Sequence, residues 1–207
     1  MLSFPIGYGR KLVMQTKYNI ILSQEVWFAR AVALRMIMGR PLSVWHYMIP
    51  FVFVFDFLRR KKETETFSKN FLFTKKLALD AAYDINQGED RQNRLAMIED
   101  QIRDRLTAQK LYSWGIYQGQ MAEVNLLIDH YLKLLKAEGE RYQSLVKDAY
   151  KTRDNYQAFL HQLTSAEKEI DRAVIKTLGE TEEIWEPMLA KQTVVDEMRT
   201  RGVDKVF

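Results

Sequence analysis

Met121-Ala-Glu-Val124-Asn-Leu-Leu-Ile128-Asp-His-Tyr131-Leu-Lys-Leu-Leu135 opens a stretch in which apolar residues return every three and four positions. The repeat continues through Tyr142, Ala149, Tyr156, Leu163 and Ile170 at one position, and through Glu138, Leu145, Thr152, Phe159, Ala166 and Ala173 at the other. Of the sixteen positions in the two rows only Glu138 and Thr152 are not apolar. A 3-4 repeat sustained this far predicts a long helix, over about residues 120–178, whose seam faces other helices. Ile128, Tyr131, Leu135, Tyr142, Leu145, Tyr156, Phe159 and Leu163 are its candidate partner-contacting residues. Glu138-Gly139 marks a place for a bend, and Thr164 with Glu167 has the spacing of a capping box where a helix could restart.

Outward from the seam the chain keeps this character. From Pro50 to Pro187 there is no proline, which reads as a helical chain. Thr66–Ile85 ends at Asn86-Gln87-Gly88, a helix stop, and the next helix begins near Asp90 with Leu95, Ile98, Ile102 and Leu106 on one stripe. Gly115 and Gly119 lie in a polar stretch and read as a turn; Glu180–Phe207 reads as a short helix and a polar tail. The expected fold is all-α: N-terminal apolar membrane-associated helices (1–62) followed by a long-helix antiparallel bundle or coiled coil (63–207).

Charge divides the chain in the same way. Residues 1–62 carry ten Lys/Arg against Glu25 and Asp56, whereas 63–207 carry 21 against 25. A basic region can address nucleic acid or an anionic membrane. Here Ser43–Leu58 is Ser-Val-Trp-His-Tyr-Met-Ile-Pro-Phe-Val-Phe-Val-Phe-Asp-Phe-Leu, bracketed by Arg40 and by Arg59, Arg60, Lys61 and Lys62, which points to membrane and not to nucleic acid. A full span needs about 20 apolar residues. This run is shorter, holds Pro50 and Asp56, and is basic on both flanks, so it suits a re-entrant or interfacial segment more than a straight rod. Trp27, Trp45 and Tyr47 would lie at headgroup depth, Phe51, Phe53, Phe55 and Phe57 in the acyl boundary, and Arg59–Lys62 at the exit. Ile20–Met38 reads as an interface-lying or partner-packed helix. A cleaved signal peptide is not expected, since the first apolar stretch lies far from Met1.

No catalytic constellation is legible. The absence of cysteine removes disulfides, Cys-ligated metals and thiol nucleophiles. None of His46, His130 and His161 has a glutamate three residues before it, so the Glu-x-x-His pairs of a di-iron bundle are missing. Asp129-His130 with Glu123 is the nearest approach to a metal set, and Gly7-Tyr8-Gly9 lacks the third glycine of a dinucleotide fingerprint. No metal or other cofactor is expected. The features together indicate a non-enzymatic scaffold or tether on the cytoplasmic face of a membrane, partnered by anionic lipid and by another protein or a second copy of itself. Two alternatives remain: a membrane-bound enzyme holding a lipid-like anion near His46 and Asp56, and a soluble bundle with 43–58 as core.

Overall fold

Residues 6–38 and 50–207 are described by the computed structural model of the chain, with the backbone alone for 6–11, 38, 50–61 and 183. All regular structure in these residues is helical: α1 Ile6–Met38, α2 Pro50–Asn86, α3 Arg91–Ala108, α4 Trp114–Lys136, α5 Tyr142–Tyr150, α6 Arg153–Leu178 and α7 Glu182–Val206.

The stops and starts expected around residue 88 have a local cause. Gly88 takes φ +106°, and the N–H groups of Gly88 and Glu89 donate to Ile85 O and Asp84 O, closing the last turn of α2 as a left-handed glycine does. The Asp90 carboxylate then accepts the Asn93 N–H at 2.9 Å, capping α3. Ile98, Ile102 and Leu106 turn inward from it.

α1 and α2 form an antiparallel hairpin. Asn86 bonds Met14, Tyr18 donates to Asp80, Glu25 pairs with Lys75 and Phe28 meets Phe71. Each step up α1 is thus one step back along α2. At that register Met38 falls opposite residue 61, and the α2 turns before it run past the last described turn of α1 by about 16 Å at 1.5 Å per residue.

Five helices close a ring in the order α1, α2, α4, α6, α7, with α7 returning to α1. α3 lies outside it, where Arg105 donates to Asn70 of α2 and Arg91 to Asn125 of α4. Gly115 and Gly119 are not a turn. Both belong to α4, where a Cβ on Gly119 would come within 2.8 Å of Ile170 Cγ1 and one on Gly115 within 3.4 Å of Ala173 Cβ. Their missing side chains let α6 approach closely, the use that polar flanking residues concealed.

The continuous helix expected over 120–178 is three helices. At the first break the Glu138 N–H turns to the Asp148 carboxylate at 2.8 Å, Gly139 takes φ +146°, and Arg141 and Ser144 bond each other's backbone and hydroxyl. At the second, Lys151 takes φ +64° and the Thr152 hydroxyl accepts the Asn155 N–H, capping α6. The breaks fall at the two polar interruptions of the repeat. Thr164 and Glu167 start nothing; they stand mid-α6 and bind α7. The C-terminal segment is one 25-residue helix, because Val195, Met198 and Val203 are buried and its length is held by packing. Gly139→Ala would place a Cβ within 2.8 Å of Ser144 Cβ at this φ. The expected loss is about 2 kcal/mol in urea unfolding, helix content unchanged at zero denaturant.

Among the described residues no helix is long and apolar enough to cross a membrane, so the N-terminal helices expected as membrane elements are not supported as spans. Lys17, Glu25, Arg30 and Arg35 interrupt α1, and α2 becomes charged from Arg59 onward. α1 instead packs on its own chain through Ile21, Ala29, Val32 and Ala33.

Candidate functional site

Several positions on the inward stripes of the ring carry charge. Glu25 lies between Ile21 and Ala29 on α1, Lys75 one turn before Leu79 on α2, Glu123 beside Val124 on α4, Glu167 one turn after Leu163 on α6, and Arg199 between Val195 and Val203 on α7. Helical spacing turns each to the interior with its apolar neighbours. A buried charge is tolerated only when paired and hydrogen-bonded.

The pairing is nearly complete. Lys75 Nζ is 3.1 Å from the Glu25 carboxylate, and it also faces the Phe28 and Phe71 rings at 5.8 and 5.5 Å. Arg199 grips Glu167 through both terminal nitrogens at 2.7 Å and donates to Thr164 Oγ1 at 2.8 Å. Lys191 and Gln192 hold Asp171 at 2.6 and 2.8 Å.

Among the described residues Glu123 makes no ion pair, and its hydrogen bond is from Thr74 Oγ1, at 3.3 Å. Burial, then the negative charge of Glu167, push its carboxyl up to about 7, against the opposing pull of Lys75, Arg199 and the Thr74 hydroxyl. With Glu123 protonated the layer balances: Glu25, Glu167 and Asp171 against Lys75, Lys191 and Arg199.

Beside this layer is a box of rings. His130 is 3% exposed, stacks on Phe159 at 4.2 Å, and shares a hydrogen bond with the Tyr150 hydroxyl through Nδ1 at 2.7 Å. Burial first, then the positive charges of Lys75, Lys133 and Arg199, drive it down to about 3, so it is neutral near pH 7. The buried Tyr131 hydroxyl lies beside the Glu25 carboxylate, and burial, then the Glu25 charge, hold its proton on.

Two cavities flank the charged layer, and Lys75 reaches both. One, about 480 Å³, lies between α1 and α7 over the aromatic box. The other, about 530 Å³, is lined by Thr74, Glu123, Glu167, Asp171 and Lys191. Chemically the arrangement can bind, and Glu123 can exchange a proton near neutrality. Among the described residues no group of three His, Asp or Glu side chains could hold a metal, and Asp129 is engaged by Arg91 at the surface.

The expected seam faces inward on this chain. Ile128, Tyr131, Leu135, Leu145, Tyr156 and Leu163 are buried in its own core, and Tyr142 and Phe159, half-buried, line the first cavity. Trp27 is 54% exposed on the flank, at the mouth of that cavity. Lys62 is exposed on α2. Phe51, Phe53, Phe55, Phe57, Arg59, Arg60 and Lys61 belong to α2, their side chains outside the described set; Trp45 and Tyr47 lie outside the described residues, as does His46. His161 is exposed on α6. Glu25, Lys75, Glu167 and Arg199 were not among the expected site residues, and Glu123 was singled out only beside Asp129-His130. Their signal is a charge one helical turn from buried apolar residues on one stripe, as in Ile21-x-x-x-Glu25-x-x-x-Ala29. The chain matches no protein-family profile, no curated protein and no solved structure.

Proposed function

We propose that the chain is a non-enzymatic membrane-surface tether: residues 41–62 dock on the cytoplasmic face of a membrane, and the bundle is held there to meet another protein or a second copy. The observation that carries this reading is the α1–α2 register. It leaves the turns of α2 before residue 61, which bear the Phe-Val run and the start of the basic block, beyond the last described turn of α1.

The other helices end near the same level. Ser113, the cap of α4, bonds Thr177 of α6, and α7 begins after the short turn that follows. Tyr112, Trp114, Leu178 and Trp185 are exposed there, and amphipathic aromatics of this kind favour the headgroup region. Charge at this end is more evenly matched. By sequence, the four positive charges of Arg59–Lys62 are matched in number by Glu180, Glu182, Glu183 and Glu186, so apolar partition carries most of the binding and anionic lipid a smaller part.

The test is flotation of the full chain with phosphatidylcholine vesicles, with and without phosphatidylserine. The native chain is expected to float with both, more with phosphatidylserine, and to stay bound in high salt. Replacing Phe51, Phe53, Phe55 and Phe57 with Ser together removes apolar burial of about 1.5–3 kcal/mol per ring. That variant is expected to remain helical and at the bottom of the gradient. A native chain that does not float, or a variant that floats equally, refutes the tether.

A further inference from the structure

The cavity between α1 and α7 carries an inference that does not depend on the membrane reading. Its volume, about 480 Å³, lies within the roughly 300–1,000 Å³ of small-molecule sites. Leu127 and Leu163, 1% and 3% exposed, form with Met198 and Phe28 an apolar strip of its wall, beside the buried Glu25, Lys75, His130 and Arg199. The interior cations are already neutralised, Lys75 by Glu25 and Arg199 by Glu167. Neither has charge to spare for a ligand.

The rim differs. Arg35 and Arg201 share one carboxylate, Glu197, at 3.5 and 3.9 Å, and Lys205, one turn on from Arg201, makes no ion pair among the described residues. All three line the cavity and are exposed. The rim is therefore cationic in excess, above an apolar strip and two internally neutralised ion pairs. Gly202 stands among these rim residues on α7, and a Cβ placed on it meets no atom within 4 Å. The missing side chain leaves room at the rim for a larger residue.

We infer that this cavity binds a single-chain amphipathic anion, with its carboxylate or phosphate at Arg35, Arg201 and Lys205 and its chain on Leu127, Leu163 and Met198. A neutral amphiphile would leave the rim excess unmatched. A cationic one would meet three like charges.

The test is titration calorimetry of the full-length chain with sodium laurate, dodecyl phosphate, dodecyltrimethylammonium and acetate, each below its micellar concentration. Saturable one-to-one binding is expected for laurate or dodecyl phosphate, at least about tenfold tighter than for the cation, with acetate inert. The tighter of the two anions identifies a free acid or a lipid phosphate as the source. Gly202→Leu closes the mouth and, as a Gly-to-Leu change in a helix, raises helix propensity. It is expected to melt no lower than the native chain and to lose anion binding. Arg201→Glu with Lys205→Glu, at exposed positions, is expected to weaken laurate by about tenfold or more and to improve the cation, as reversal of a charged rim requires. Equal affinity for anion and cation, absence of saturable binding by the folded native chain, or undiminished laurate binding by folded Gly202→Leu overturns the assignment. The last result would place the amphiphile on residues 41–62, which both variants leave intact.

Discussion

Arg199→Met is expected to cost about 3–5 kcal/mol of stability, the range for removing one member of a buried pair. Arg199 and Glu167 have side chains only 8% and 18% exposed, so the truncated arginine leaves a carboxylate stranded beside Glu123. The companion variant Arg199→Met/Glu167→Leu removes both charges and is expected to recover most of that loss. The reason is that the desolvation of two ions, and not their attraction, dominates the ledger of a buried pair. Urea unfolding followed by helical circular dichroism gives both numbers. If the double variant is as unstable as the single, the pair contributes net stability beyond the penalty of breaking it.

Glu123→Gln is expected to stabilise the chain above pH 7 and to change little near pH 4. The Glu123 carboxyl ionises at about 7 in the folded chain against 4.5 as the ordinary value. Between these the folded state keeps a proton that the unfolded state has released. The contribution of Glu123 is therefore fully present below pH 4.5 and lost as pH rises through 7, for an upper bound of about 3 kcal/mol. Glutamine keeps the bond from Thr74 and cannot ionise, so it avoids that loss.

His130 slopes the other way. Its folded value of about 3, against 6.5, means that the unfolded chain takes up a proton first as pH falls. Its contribution is present above pH 6.5 and lost toward pH 3. In the native chain the two slopes offset one another between pH 4.5 and 6.5. In Glu123→Gln that window is expected to tilt, with stability rising toward neutrality. Denaturant midpoints at half-unit intervals from pH 4 to 8.5 decide it; parallel profiles for the two chains refute a raised Glu123. The groups facing Glu123 are Thr74 and Lys75 of α2, Glu167 of α6 and Arg199 of α7, and all four remain in the variant.

The seam shows where reading stops being local. Its apolar rows are the inward faces of α4, α5 and α6, a matter of 3.6-residue periodicity that any chain segment declares for itself. Its interruptions at Glu138 and Thr152 are the two turns, each confirmed by a nearby residue with positive φ, Gly139 and Lys151. Counted as tolerable exceptions they predict one long helix; weighted as breaks they predict three. The weight came from partners out of local view: Asp148 takes the Glu138 N–H, and a ring of helices rewards folding the seam back on itself.

Helical class, the stop at Gly88, the cap at Asp90 and the inward stripes were determined by the chain alone, because caps, glycine conformers and helical periodicity involve residues within a turn or two of each other. Tertiary structure alone decided that Gly115 and Gly119 admit α6, that the last 25 residues form one packed helix, and that Glu25, Lys75, Glu123, Glu167 and Arg199 share one interior. Those outcomes depend on which helices become neighbours. A charge on an apolar stripe is an interruption until another helix, scores of residues away, presents the opposite charge at the same level.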